Sequence, residues 1–218
     1  PVKPPLPGVE LQNIFTIRTL LDGIEIKKYI DEWGSFQVCV GSPECLYVNR
    51  FGENKRQMRA VIVGGGYIGM EMCESFRKRG LDVTVIEKTD RVLGNMDTSI
   101  TNIVEEKIKT EGVRLYKETS VEGFAGVRGS LTKVITDRGE IEADLVLLSI
   151  GARPNAELAR GSGIELGVNG AIKVDEYLRT NIPDIFAAGD CAETTHIVTG
   201  KKVYIPLGTT ANKQGRIA

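Results

Sequence analysis

An α/β protein with a parallel, doubly wound sheet is the fold that the sequence predicts, and three observations predict it. A short, wholly apolar run, Ala60–Val63, leads into Gly64-Gly65-Gly66 and then into a helical pattern from Tyr67 to Arg79. Strand-like and helix-like segments keep alternating as far as Tyr116. Three β-like segments joined by glycine-containing turns follow, and they read as a meander that crosses back to the sheet.

Taken in order, residues 1–9 form a Pro-rich connector. Ile14 to Ile30 is an approach segment into an amphipathic helix, with Leu20, Leu21, Ile24, Ile26 and Ile30 at roughly helical spacing. Residues 31–59 mix short apolar pieces with Gly34, Gly41, Pro43 and Gly52, a pattern open to a hairpin or an irregular loop. Ala60–Val63 is apolar at every position, as a strand covered on both faces must be. Gly80 ends the helix that Tyr67 begins, and Asp82–Ile86 is the next strand. Thr98 to Thr110 is a second helix, started by Asp97 or Thr98 and stopped before Gly112; Val113–Tyr116 is a third strand. The acid-rich stretch Val104–Lys109 reads as a solvated face.

Ser120–Val127, Leu131–Thr136 and Glu140–Leu148 make the meander, with turns at Arg128-Gly129-Ser130 and Asp137-Arg138-Gly139. Its last strand, Leu145–Ile150, returns to the sheet. Beyond Gly151 the segments shorten, and Asp184–Ala188, after Pro183, reads as another buried strand. The chain opens on Pro1 and closes in the helix-like run TTANKQGRIA, so its ends read as those of a piece cut from something longer.

Composition narrows the function classes. With 28 Lys+Arg against 29 Asp+Glu, the net charge of −1 supplies no electrostatic reason to bind nucleic acid or an anionic membrane. No apolar run approaches the roughly 20 residues that a spanning helix needs. Four cysteines without a signal-peptide pattern argue against a secreted disulfide scaffold. Cys39 and Cys45 have no further Cys or His nearby, whereas structural zinc takes about four ligands, so no metal is expected. Cys73 and Cys191 read as unreactive small hydrophobes, and His196, the single histidine, as structural.

The chemistry lies in Gly64-x-Gly66-x-x-Gly69, placed directly after a strand and opening a helix. The first glycine permits the tight turn, the second lets a pyrophosphate approach the backbone, and the third brings helix and strand together. Glu87 ends the next strand, 87 − 69 = 18 residues on, where a carboxylate accepts hydrogen bonds from an adenosine ribose diol and repels a 2′-phosphate. The pattern predicts dinucleotide binding, with NAD favoured over NADP; the alternative is a structural turn beside a surface glutamate.

Five segments carry a resemblance. They are RAVIVGGGYIGMEM (Arg59–Met72), VTVIEKTDRVL (Val83–Leu93), LLSIGARPN (Leu147–Asn155), TNIPDIFAAGDCAE (Thr180–Glu193) and PLGTTANKQGRIA (Pro206–Ala218). Together they resemble the FAD-dependent pyridine nucleotide–disulfide oxidoreductases, in particular the NADH oxidase, NADH peroxidase and coenzyme A disulfide reductase branch. The resemblance implies a three-layer, Rossmann-like FAD/NAD(P)-binding fold with a β-meander crossover. Residues 1–30 would be a connector from the FAD domain and a helix, 31–59 a linker or insertion, 60–150 the NAD-binding domain, and 151–218 a second segment of the FAD-binding domain.

Both FAD and NAD are thus implied as cofactors, with NADH as the electron donor. Tyr67 matches the aromatic that covers the flavin until the nicotinamide displaces it, Ile68 a nicotinamide neighbour, and Glu71 an acid paired with a lysine near the flavin. A core aromatic, a core contact and a solvated carboxylate are the plainer readings of the three. Gly151 matches the crossing between domains, or is a turn glycine. Asp190 matches the acid that accepts from the flavin ribityl chain, and Gly208 and Thr209 match backbone contacts to the flavin. The family's own N-terminal GxGxxG, redox-active Cys and dimerisation domain have no counterpart in these residues, so no catalytic residue is assigned. The whole enzyme would be a cytoplasmic homodimer passing electrons to a disulfide, peroxide or oxygen. A ferredoxin- or rubredoxin-reductase type, or a non-catalytic NAD-binding module, is the alternative.

Overall fold

Two compact units, Pro1–Gly151 and Ala152–Ala218, divide the chain in a computed structural model. It describes residues 1–33, 36–38, 46–48 and 54–218, with the backbone alone at 36–38, 46–48 and 54–55. The first unit begins with β1 (Ile14–Thr16) and α1 (Leu20–Glu32), then β2 (Phe36–Val38), β3 (Leu46–Val48) and β4 (Asn54–Lys55) as a small antiparallel sheet. Next come β5 (Arg59–Val63), α2 (Tyr67–Lys78), β6 (Asp82–Ile86), α3 (Thr98–Thr110) and β7 (Arg114–Tyr116). The meander β8 (Val121–Val127), β9 (Ser130–Thr136) and β10 (Gly139–Glu142) leads back to β11 (Leu145–Leu148).

The main sheet has the order β1-β11-β5-β6-β7, and every neighbouring pair is parallel. Side chains alternate across it. Ala60, Ile62, Val83, Val85, Leu145 and Leu147 face Ile26 and Ile30 of α1 and Cys73 and Phe76 of α2. Val61, Val63, Val146 and Leu148 face the other way, onto Phe124, Leu131 and Val134 of the meander. Helices, parallel sheet and meander are therefore the three expected layers. Burying each large side chain of this core contributes about 1.5–3 kcal/mol.

Polar groups fix the edges. Thr19 and Asp22 cap α1 reciprocally, and Asp97 caps α3 by accepting from Ser99 N. Just before β11, the buried Asp144 carboxylate accepts from Arg56 Nη1 (2.5 Å) and Nη2 (2.6 Å) and from Arg59 N (2.9 Å). Arg59 also pairs with Glu142. The α2 start differs, since its N-cap is Gly66 and no side chain caps it.

Four expectations need correction. The approach segment contains a strand: Ile14–Thr16 pairs with Val146–Leu148, an alignment set by residues more than a hundred positions away. Only Ile26 and Ile30 of the α1 apolar set are buried, while Leu20, Leu21 and Ile24 are exposed because the helix turns that face from the sheet. Residues 184–188 form no strand; among the described residues a single bridge, Arg179 to Phe186, is all their pairing, and Ile185 and Phe186 are exposed. Glu105 is not solvated but buried, because it shares one helical face with buried Thr101 and partly buried Ile108. In residues 31–59 the described part is antiparallel, in line with the hairpin alternative; Cys39 and Cys45 lie outside the described residues.

The second unit contains α4 (Glu157–Gly161), the hairpin β12 (Thr194–Thr195) and β13 (Lys202–Val203), and α5 (Gly208–Gln214). Its core is of small and branched side chains, among them Ala156, Ala159, Val174, Leu178, Ala187 and Ala192. No helix among the described residues is long and apolar enough to cross a membrane.

Candidate nucleotide-binding site

Three glycines build the turn between β5 and α2, each for its own reason. Gly64 has φ +105°, and a Cβ there would stand 2.5 Å from the Ser149 carbonyl oxygen. Gly69 lies so close beneath the turn that a Cβ would overlap the Gly64 carbonyl oxygen. At Gly66 the opposite holds: a Cβ would meet nothing within 4 Å. The first turn of α2 thus presents backbone N–H groups, which have no intrahelical partner, beside open space at the positive end of a helix dipole. A helix start of that kind can hold an anion with backbone groups alone.

Glu87, at the end of β6, points into the same turn. Its Oε2 accepts from Gly65 N at 2.6 Å, and its Oε1 accepts from Thr89 N and Thr89 Oγ1, both at 2.8 Å. The carboxylate is held at the rim by its own loop and needs no substrate to orient it. The following loop is tied down as well. Leu93 N donates to Gly65 O at 2.8 Å, and Val92 N donates to Glu105 Oε1 at 3.3 Å. Glu105 Oε2 in turn takes Lys117 Nζ at 2.8 Å. Sequence reasoning missed this brace, although the Thr101–Glu105–Ile108 period on α3 marks it.

Tyr67 is half-buried and its hydroxyl accepts from Asn95 Nδ2 at 3.0 Å. Ile68 and Glu71 are exposed on the first two turns of α2. Gly151, exposed, follows β11, and its carbonyl accepts from Val2 N at 3.1 Å. Ser149, which the sequence did not single out, has its hydroxyl 2.9 Å from Gly64 O and 3.0 Å from Val63 O, locking β11 to the turn. The first unit therefore brings together Gly64, Gly66, Tyr67, Ile68, Gly69, Glu71 and Glu87.

Asp190, Gly208 and Thr209 belong to the second unit and are exposed. Asp190 sits on a tethered turn: Gly189 N donates to Gln214 Oε1 at 2.7 Å, and Tyr204 OH donates to Asp190 O at 2.9 Å. Its carboxylate has no partner among the described residues. At Gly208, the first residue of α5, a Cβ would meet nothing within 4 Å. Burial pushes the Cys73 thiol up to about 11, so it stays protonated at neutral pH. Cys191 Sγ lies 3.3 Å from Ala188 O, and His196 Nδ1 accepts from Thr199 N at 3.2 Å. Among the described residues no three metal-ligating side chains cluster.

The chain is similar to known proteins in sequence and fold. Residues 1–215 match the family described as pyridine nucleotide-disulphide oxidoreductase. An NAD(P)H sulfur oxidoreductase (CoA-dependent) of Pyrococcus furiosus is 39% identical over 221 residues, covering 100% of this chain and 44% of that protein. The structure of reduced CoADR-RHD from Bacillus anthracis is similar with a TM-score of 0.84 at 35% identity, over 100% of this chain and 35% of that one. For the water-forming NADH oxidase from Lactobacillus brevis, bound to NADH, the values are 0.81 and 31%, over 100% and 43%. The chain spans less than half the length of these relatives. The family match spans residues 1–215 and these alignments cover the whole of the chain, and the chain belongs to the pyridine nucleotide-disulphide oxidoreductase family.

Proposed function

We propose that the chain carries the NADH-binding domain (60–150) and a segment of the FAD-binding domain (151–218) of a flavoprotein oxidoreductase. The whole enzyme moves a hydride from NADH to FAD and passes the electrons to a disulfide, peroxide, oxygen or sulfur acceptor. One observation carries the reading: an uncapped helix start faces open space at Gly66, between two glycines where any side chain would collide. A structural turn has no need of that combination.

Each residue then has a task. The N–H groups at the start of α2 take the pyrophosphate. Glu87 accepts from the adenosine ribose and opposes a 2′-phosphate. Ile68 offers an exposed apolar surface to the nicotinamide, Glu71 a carboxylate for a lysine near the flavin, and Gly151 room for close approach. Tyr67 is the aromatic that borders the nicotinamide path at the start of α2. Asp190, its carboxylate unengaged, accepts from the flavin ribityl chain, while Gly208 and Thr209 meet the ring with backbone groups. The bound cofactors would supply the redox chemistry itself. The family resemblance supports a homodimer working in the cytoplasm.

Titration calorimetry with NADH and NADPH tests the first half of this reading, and a visible spectrum after incubation with FAD tests the second. Binding of NADH, more tightly than NADPH, and a retained yellow chromophore are expected. No heat with either nucleotide would sink the dinucleotide assignment; a colourless protein would sink the FAD role of this chain on its own.

A further inference from the structure

Tyr67 opens α2 directly behind Gly66, at the turn itself. In the sheet order, β5 is flanked by β6 on one side and by β11 on the other. Glu87 ends β6, so an adenosine ribose bound there sends the pyrophosphate across the start of α2. The nicotinamide must then lie toward β11 and Gly151. The Tyr67 hydroxyl is bonded to Asn95, and Asn95 belongs to the loop that follows β6. The ring is thereby drawn to the adenosine side and kept off the nicotinamide path.

The loop on either side of Asn95 is braced. Leu93 N bonds to Gly65 O and Met96 N to Leu93 O, both at 2.8 Å. Leu93 is buried at φ +49°, a conformation unusual for a bulky side chain and kept only where surroundings enforce it. The buried Glu105, paired with Lys117, fixes Val92 beside it. Asp97 then caps α3 and closes the loop. A side chain on so braced a segment can orient its neighbour.

We propose that Asn95 is a positioning residue for nicotinamide binding: it holds Tyr67 in the orientation that leaves the β11 side of the turn open. The proposal rests on the dinucleotide reading and adds a specific residue to it. Its effect belongs to the nicotinamide half of the ligand alone. ADP-ribose, which has the adenosine and pyrophosphate but no nicotinamide, is therefore the control.

Calorimetric titration of the full chain with NADH and with ADP-ribose tests it. Asn95→Ala should weaken NADH about fivefold, the size of one net side-chain hydrogen bond, and leave ADP-ribose unchanged. Tyr67→Phe, which removes only the hydroxyl, should do the same, and the double variant should be no worse than either. In a Tyr67→Ala background, Asn95→Ala should be silent. Equal weakening of both ligands would make Asn95 a mere scaffold of the loop and overturn the proposal. Unchanged NADH affinity, or additive losses in the double variant, would overturn it too. If the unaltered chain bound neither ligand, the dinucleotide reading itself would fall.

Discussion

The fingerprint glycines separate binding from stability one residue at a time. At Gly66 a side chain meets no protein atom, so Gly66→Val should abolish NADH binding while thermal unfolding moves little, its valine standing where the pyrophosphate must pass. At Gly69 even a methyl overlaps the Gly64 carbonyl and comes within 2.9 Å of Ser149 Oγ, so Gly69→Ala should cost about 2–3 kcal/mol of stability, read by urea unfolding. A variant pair with the reverse pattern would refute the geometry. Glu87 supplies the third residue-scale test. Removing its charge in Glu87→Ala should narrow the preference for NADH over NADPH by about tenfold, because a carboxylate facing a phosphate is a like-charge pair. Calorimetric affinities for both nucleotides give the ratio. These three positions were legible because their chemistry follows from spacing along the chain. Ser149 and Asn95 were not: each acts on a partner 85 and 28 residues away, and nothing local in the sequence marks such an approach.

At the scale of elements, local signals and long-range packing divided the work differently. The strands β5 and β6 and the helices α2 and α3 announced themselves through apolar runs, caps and a terminating glycine, all written within a dozen residues. Strand β1 is three residues long and exists because β11 offers it an edge. Residues 184–188 show the converse, an apolar run whose pairing within the described residues is one bridge. The join of β11 to β5 has an electrostatic clamp that the sequence hides. Burial raises the Asp144 carboxyl, but its hydrogen bonds to Arg56 and Arg59 outweigh that and hold it below the usual carboxylate range. A folded-state value below the unfolded one, about 3.9, contributes stability that is present above that pH and lost as pH falls through the lower value. Asp144→Asn should therefore cost about 2–3 kcal/mol at pH 7 and flatten the acid limb of the stability profile below pH about 4. Urea unfolding over that range decides it; an unchanged acid limb would show that the clamp does not couple to folding.

For the whole molecule, a net charge of −1 fits a protein that binds a polyanion without a basic patch. In the proposed site the pyrophosphate charge would be met by backbone N–H groups and a helix end, which cost no lysines and no long-range field. The two units also divide the proposed ligands. Everything assigned to the NADH adenosine and pyrophosphate lies in residues 64–87, within the first unit, and the contacts assigned to the flavin ribityl chain and ring at Asp190, Gly208 and Thr209 lie within the second. Each unit has its own hydrophobic core, so damage to one site has no obligatory route to the other. Asp190→Asn should accordingly lower FAD retention, seen as loss of visible absorbance at equal protein concentration, and leave the NADH affinity within about twofold. Gly66→Val should show the mirror pattern, with flavin kept and NADH lost. The turn that carries Asp190 is held by Gln214 and Tyr204 through backbone atoms, so the asparagine substitution removes charge without loosening the turn. A fall in NADH affinity as large as the fall in FAD would mean that the two sites are one cooperative structure.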